Sequence, residues 1–346
     1  MKIRVFLFLL SDWKLGKNKN TKEQQMKPFV YITRKLPEEV VTPLREKYEV
    51  KMWDKEDVIV PRTVLLEEAS KADALLTMLS DQIDEELLSA GEQLKVVANL
   101  AVGYDNIDIE AATKRGVTIC NTPDVLTDST ADLTFGLLMA AARRIVEGAE
   151  FIKAGQWKSW SPLLLAGYDI HHKTIGIVGM GSIGSTVAKR ATGFDMEILY
   201  HNRSRKMEVE SELGATYCSF DELVERSDFI VCLTPLTAET KDLFTRDVFK
   251  RMKKTAVFVN ASRGPVVNEQ ELYEALKEGD IAAAGLDVFD KEPIDETHPL
   301  LTLSNVVAIP HIGSASIETR MKMMNLCVEN IDLILSGQEP KTHVNK

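Results

Sequence analysis

One stretch constrains this chain more than any other: residues 174–202, "TIGIVGMGSIGSTVAKRATGFDMEILYHN". Gly179, Gly181 and Gly184 form G-x-G-x-x-G directly after the apolar run "TIGIV" and directly before the helix-like "SIGSTVAKRA". The three glycines alone would be a weak signal; the strand before them and the helix after them give each a physical task. The first permits a tight turn, the second lets backbone approach a pyrophosphate, and the third allows close packing of helix on strand. The opening of the helix, at Ser182 and Ile183, offers unpaired N–H groups and the positive end of the helix dipole to an anion. A strand–turn–helix–strand unit of a doubly wound parallel sheet, built to hold a dinucleotide, is the expectation.

The second strand of such a unit ordinarily ends in a carboxylate, about twenty residues past the first glycine, that grips the adenosine ribose. Here "MEILYHN" ends in His201 and Asn202, and Arg203, Ser204, Arg205 and Lys206 follow. Asp195 and Glu197 stand at the start or middle of the strand, away from the cofactor end. A carboxylate would repel a 2′-phosphate, whereas guanidinium groups receive one through charge-assisted hydrogen bonds. The turn therefore predicts NADP(H) as the preferred cofactor, with NAD(H) use left open. The competing reading is a solvated basic turn with relaxed cofactor choice.

At 346 residues the chain is about twice the commonest domain length, so two domains sharing a cleft are expected, a single α/β barrel being the alternative. From Lys27 onward short apolar runs alternate with amphipathic stretches: "FVYIT", "ADALLTM", "KVVANLAVG" and "VTICNTP", each followed by a helical pattern. A second series of seven runs begins at "TIGIVG" and ends at "NVVAIPH". Alternation of this kind predicts parallel sheets covered on both faces. Between the two series, Thr127 to Glu150 reads as one long buried helix, with Asp128 or Ser129 as its cap. A final helix over 316–335 carries Met321, Met324, Leu326, Val328, Ile331 and Ile334 toward a core.

A formal charge of −10 and a pI near 5.3 argue against a nucleic-acid surface. The four cysteines (Cys120, Cys218, Cys232, Cys327) form no C-x-x-C pair and share no metal-ligand spacing with the six histidines, so neither disulfides nor a metal site is expected, and a reducing cytoplasm is. The apolar run Val5–Leu10 is six residues, too short to span a bilayer and lacking a small-residue cleavage site. Residues 1–25 are read as an appendage, and no membrane association is expected.

Three later strand ends carry distinctive polar residues: Arg263 in "VNASRGPVVNE", Asp287 and Glu292 in "GLDVFDKEP", and His311 in "VVAIPHIGSAS". Ligands collect at the carboxyl ends of strands in open α/β sheets, so these side chains are expected to converge there. Taken singly, each also reads as an ordinary turn, loop or strand-end residue.

Together with "VVANLAVGYDNID", "NTPDVLTDSTADLTFGLLMAAARR", "GIVGMGSIG", "LTPLTAETKDLF" and "IPHIGSAS", these stretches resemble the D-isomer-specific 2-hydroxyacid dehydrogenase family, essentially from Met26 to the end. Within it, the basic turn and "WSPLLLAGYDI" are most similar to glyoxylate and hydroxypyruvate reductases, whose relatives include 2-ketogluconate reductases. The resemblance implies a flavodoxin-like substrate domain, residues 26–124 and 312–346, and a Rossmann cofactor domain, residues 125–311, with a cleft between them and a homodimer built on the latter.

It also implies roles. Arg263 would hold the substrate carboxylate and polarise the ketone with its planar fork. His311 would be the general acid, since an imidazole titrates near neutrality, at about 6.5. Glu292 would bond the far ring nitrogen and steady the protonated ring. Asp287 would accept from the nicotinamide carboxamide or simply stabilise its turn. Val102 and Gly103 would offer backbone N–H groups to the substrate, glycine permitting the close approach, and Leu79 and Ser80 would line the same pocket. Thr130, Thr234, Pro235, Ala261 and Gly313 would lie against the cofactor. Trp160 would reach across a dimer interface toward the neighbour's pocket, or pack plainly within that interface.

The expected activity is NADPH-dependent reduction of the small 2-keto acids glyoxylate and hydroxypyruvate, with 2-ketogluconate as rival substrate. NAD-linked 3-phosphoglycerate dehydrogenase is a competing enzyme, against which the basic turn and the short tail after the last helix weigh. A dinucleotide-sensing corepressor is the non-enzymatic alternative.

Overall fold

The computed structural model describes residues 27–345; the appendage expected at residues 1–25 lies outside the described residues. Two sheets form, and every strand pairing in both is parallel. The first contains β1 (Phe29–Ile32), β2 (Glu49–Met52), β3 (Ala74–Thr77), β4 (Val96–Asn99) and β5 (Thr118–Cys120), in the order β2-β1-β3-β4-β5. The second contains β6 (Thr174–Val178), β7 (Glu197–His201), β8 (Thr216–Tyr217), β9 (Phe229–Cys232), β10 (Val257–Asn260), β11 (Ala283–Leu286) and β12 (Val306–Ala308). Its order, β12-β11-β10-β9-β6-β7-β8, reverses direction between β6 and β9, beside the glycine turn.

The central strands are buried along their whole length, as strands covered on both faces must be, and this explains their unbroken apolar runs. The strand β2, "EVKM", was not among the expected ones. It is an edge strand whose alternate residues stay exposed, so it lacks the apolar run that marked the others.

Register positions the site. Val178 is level with both His201 and Cys232, Asn260 with Cys232 and Leu286, and Leu286 with Ala308. The segments that begin at Gly179, Asn202, Leu233, Ala261, Asp287 and Ile309 therefore leave one edge of one sheet together.

The long helix departs from expectation twice. It runs Thr127–Ala142, is broken where Arg144 adopts a left-handed conformation (φ 53°), and resumes as Ile145–Lys153. Neither Asp128 nor Ser129 caps its start: Asp128 accepts from Arg190 at 2.9 Å, and the Ser129 hydroxyl is hydrogen-bonded to that of Thr319. The first part packs under β10–β12, with Leu137 against Gly285.

The last helix, Ile317–Leu335, is capped by the Ser316 hydroxyl, which accepts from Thr319 N at 3.2 Å. It packs on β3, β4 and the helix Glu38–Lys47 through Met323, Met324, Cys327, Val328 and Ile331. Met321, Leu326 and Ile334, expected in that face, are only half-buried, and Met323 and Cys327 take the central places. The chain thus leaves the first sheet after β5 and returns to it after β12.

Candidate active site

The glycine turn is fixed by sterics. Gly179 has φ 103°, and a Cβ there would sit 2.7 Å from the Leu233 carbonyl carbon. At Gly181 the same construction meets nothing within 4 Å, so the second glycine faces open space. It precedes the eleven-residue helix Ser182–Thr192, whose N-terminus has no side-chain cap. Uncapped amides beside an exposed glycine fit the pyrophosphate of a dinucleotide. Gly184 is buried on the Gly179 backbone.

Beyond β7 the basic turn is more tightly organised than its composition implies. His201 Nδ1 is 3.0 Å from the Cys218 carbonyl, Asn202 Nδ2 donates to the Ser204 carbonyl at 3.0 Å, and Tyr217 donates to the Asn202 carbonyl at 3.3 Å. Arg203 is exposed and makes no ion pair among the described residues. Arg205 differs: its Nε donates to Glu210 Oε1 at 3.0 Å and its Nη2 to Glu210 Oε2 at 2.5 Å, with the guanidinium 5.8 Å from the Tyr217 ring centre. Thr234 and Pro235 follow β9, and the Pro235 carbonyl accepts from Thr240 Oγ1 at 2.6 Å. Ala261 follows β10 on the same edge, its amide donating to the Cys232 carbonyl at 3.3 Å.

Three asparagines at or just past strand ends hold the loops that meet across the cleft. Asn260 Oδ1 accepts from the amide and hydroxyl of Ser262 (3.1 and 3.0 Å), and its Nδ2 donates to the Arg263 carbonyl at 3.0 Å. Asn99 Nδ2 donates to the Gly103 carbonyl at 3.1 Å, and Asn121 Nδ2 to that of Val102 at 2.9 Å. So fixed, Arg263 extends from the second sheet onto the loop of the first. Its Nε donates to Asp105 Oδ1 at 2.9 Å, and its guanidinium carbon lies 2.8 Å from where a Gly103 Cβ would be.

Asp287 links this group to the histidine. Its amide donates to the Asn260 carbonyl at 3.0 Å and its own carbonyl accepts from His311 N at 2.9 Å. The Asp287 carboxylate, 2 % exposed, accepts from Ile312 N at 2.7 Å and Gly313 N at 2.9 Å. Of the two roles expected for Asp287, the structure displays the turn-stabilising one. Burial raises its pKa against the opposing pull of those amides and of His311. Thr130 completes this corner, its methyl 3.3 Å from the Cβ direction of Gly313.

His311 itself has φ 50°, an uncommon conformation for a non-glycine residue. Its Nδ1 is 2.6 Å from Glu292 Oε2, and Glu292 Oε1 accepts from Phe289 N at 2.9 Å. Nδ1 being engaged, Nε2 is the ring nitrogen left to act. His311 and Glu292 border a cavity of about 720 Å³ that also takes in Leu79, Ser80, Val58, Ile59, Phe289 and Leu301. Ser80 accepts from Arg34 Nη2 at 2.9 Å while Arg34 Nη1 donates to the Val58 carbonyl at 3.0 Å, so one guanidinium joins two rims of the cavity. Arg263, Val102 and Gly103 are not in its wall, and Trp160, 77 % exposed, is not brought to it within one chain.

Asp105, Asn99, Asn260, Arg34 and Glu210 were not singled out in the sequence. The asparagines do carry a signal, an amide ending an apolar strand just before a glycine-bearing loop; the charged three do not. Buried Asp81 belongs with them: Oδ2 accepts from Met78 N at 2.8 Å and from the Thr33 hydroxyl, bracing the Leu79–Ser80 loop, and burial raises its pKa. Among the described residues no cluster could hold a metal ion, and no helix is long and apolar enough to cross a membrane.

Comparison with known proteins identifies the family. Residues 135–313 match the family described as D-isomer specific 2-hydroxyacid dehydrogenase, NAD binding domain. A glyoxylate reductase from Thermococcus onnurineus is 52% identical over 325 residues, 93% of this chain and 97% of the relative. The crystal structure of the TT0316 protein from Thermus thermophilus superposes with a TM-score of 0.86 at 42% identity, covering 91% of this chain and 99% of that one. An NADPH-dependent glyoxylate/hydroxypyruvate reductase from Sinorhizobium meliloti, solved with NADP and malonate, does so with a TM-score of 0.78 at 32% identity, covering 92% and 97%. This chain belongs to the D-isomer specific 2-hydroxyacid dehydrogenase family, an oxidoreductase that uses a nicotinamide dinucleotide to reduce 2-keto acids to hydroxy acids.

Proposed function

We propose that the protein reduces glyoxylate and hydroxypyruvate to glycolate and D-glycerate, with NADPH as the preferred reductant. The observation that carries this reading is the His311–Glu292 pair, 2.6 Å apart on the wall of the cleft cavity. The nicotinamide supplies the hydride when bound. His311 gives a proton from Nε2 to the oxygen that becomes the hydroxyl, and Glu292 steadies the positive ring through Nδ1. Arg263 holds the carboxylate and polarises the ketone, aided by the amides of Val102 and Gly103, whose carbonyls are already tied down.

The cofactor lies along the shared strand edge, over the turn at Gly179, Ser182 and Ile183 and against Thr234, Pro235, Ala261, Thr130 and Gly313. Arg203, with Asn202 and Ser204 beside it, receives the 2′-phosphate. Residues 26–124 and 312–346 form the substrate domain and 125–311 the cofactor domain, closing about the two crossings to exclude water.

A homodimer built on the cofactor domain accounts for a further feature. Eight of the fourteen exposed large apolar side chains among the described residues lie between Ile145 and Tyr168, Trp160 included. Four buried, unpaired cysteines suit a reducing cytoplasm.

The cavity favours one extension. Away from the catalytic pair its wall is largely apolar, through Val58, Ile59, Phe289 and Leu301. The hydroxyls of 2-ketogluconate would lose hydration there without partners, whereas an apolar 2-keto acid would gain by burial. A panel of glyoxylate, hydroxypyruvate, 2-ketogluconate and 4-methyl-2-oxopentanoate, followed at 340 nm with NADPH and NADH, tests both readings. Cofactor binding without any turnover would instead support a dinucleotide-sensing corepressor.

A further inference from the structure

A carboxylate from the helix that follows the basic turn reaches back to one of the turn's two guanidinium groups. Glu210, on the helix Met207–Leu213, takes both Nε and Nη2 of Arg205 and also accepts from the Tyr200 hydroxyl at 2.6 Å. Tyr200 is fully buried, and its oxygen accepts from Lys206 N at 2.7 Å. The three side chains and one amide thus form a closed set that fixes Arg205 against the helix that follows the turn.

The charges have a consequence for ligand choice. Paired with Glu210, Arg205 brings no net charge to the site, and its fork, which would suit a phosphate, is directed at an internal acid. Arg203, exposed and without an ion-pair partner among the described residues, is the guanidinium left to meet a 2′-phosphate. The Glu210 side chain is 15% exposed against 55% for Arg205, so the acid lies deeper than the guanidinium it holds.

We propose that Glu210 is a specificity-determining positioning residue: by holding Arg205 it weakens recognition of the 2′-phosphate and keeps NADH usable beside NADPH. This rests on the reading of the turn as the ribose site, and its test is separable from that reading.

Binding by calorimetry needs no turnover. Adenosine 2′,5′-bisphosphate and ADP serve as probes, because the 2′-phosphate is carried only by the first; NADPH and NADH are then compared through nicotinamide fluorescence. Glu210→Gln keeps the size of the side chain, removes its charge and leaves one acceptor oxygen where the carboxylate has two, so it no longer holds both nitrogens of Arg205. Released, Arg205 should tighten the bisphosphate and NADPH by about three- to tenfold, below the range for a charge-assisted hydrogen bond because Arg205 is 55% exposed and solvent screens it. ADP and NADH should stay within twofold of wild type.

Arg205→Ala alone should alter the selectivity little, and adding it to Glu210→Gln should abolish the gain, a coupling that a double-mutant cycle measures. Equal changes with all four ligands, a selective loss with the 2′-phosphorylated pair, or a gain that survives Arg205→Ala would each overturn the proposal. If wild-type protein binds the bisphosphate no better than ADP, the NADPH preference fails, while the Glu210→Gln comparison still decides what Glu210 does.

Discussion

Glu292→Gln probes the proposed acid most directly, because it changes charge and almost nothing in shape. In the wild type one carboxylate oxygen faces His311 Nδ1 at 2.6 Å and the other accepts the Phe289 amide at 2.9 Å. A carboxamide has one oxygen and one NH₂ group, so it can satisfy either the Phe289 N–H or a protonated Nδ1, never both as acceptor. If the oxygen stays with the ring, the NH₂ faces the Phe289 amide donor to donor; if it turns to Phe289, the NH₂ faces the imidazole and opposes its protonated form. A hydrogen bond to a charged group contributes about 1.5–3 kcal/mol, and each 1.36 kcal/mol is a factor of about ten in rate. Turnover should therefore fall about 10- to 150-fold. The nucleotide does not rely on this carboxylate in the proposed arrangement, so the Kd for NADPH, read from nicotinamide fluorescence, should remain within about twofold. The assay is kcat for glyoxylate at saturating NADPH, with a thermal melt to establish folding. A folded variant with wild-type kcat would refute the role given to the pair.

Gly103→Ala places a methyl against the Arg263 guanidinium, which must move; KM for the keto acid should rise by about tenfold, as expected for one displaced charge-assisted contact, with NADPH affinity unchanged. An unchanged KM would remove Arg263 from the carboxylate site. Arg203→Ala should weaken NADPH by about tenfold and NADH hardly at all in equilibrium binding, as expected for loss of one charge-assisted contact; equal losses would show that the turn does not read the 2′-phosphate. The four thiols are buried, with burial pushing Cys232 up to about 11 and Cys120 up to about 12, so native protein at pH 8 should resist a disulfide reagent that labels all four after unfolding. Rapid labelling of the native protein would contradict the burial of the four thiols.

Much of the architecture was legible because burial on both faces of a sheet imposes continuous apolar runs, and because a positive φ beside a neighbouring carbonyl admits only glycine at position 179. Where those constraints lapse, so did the reading. The edge strand β2 alternates charged and apolar residues; the break at Arg144 follows from one backbone angle in a sequence of good helix formers; Asp128 serves Arg190 instead of the helix start. The polar strand-end residues Arg263, Asp287, Glu292 and His311 could be picked out because strand ends are few. Their partners could not: Asp105 is 158 positions from Arg263, and nothing local distinguishes it from other surface acids. Glu210 is only five residues from Arg205, yet its engagement depends on a helix turning it back beneath the strand.

The backbone bonds running from Asn260 through Asp287 to His311 tie the proton donor to the same rigid edge that carries the glycine turn. In the proposed arrangement reductant and acid would travel as passengers on one platform, and their mutual spacing would be set when that sheet folds. A swing of the opposite lobe, with its Gly103 and Ser80 loops, would adjust only where the carbonyl is delivered. Substitutions that slacken the crossing after β5 would accordingly show themselves in substrate capture while the intrinsic alignment of the two transferred hydrogens persists.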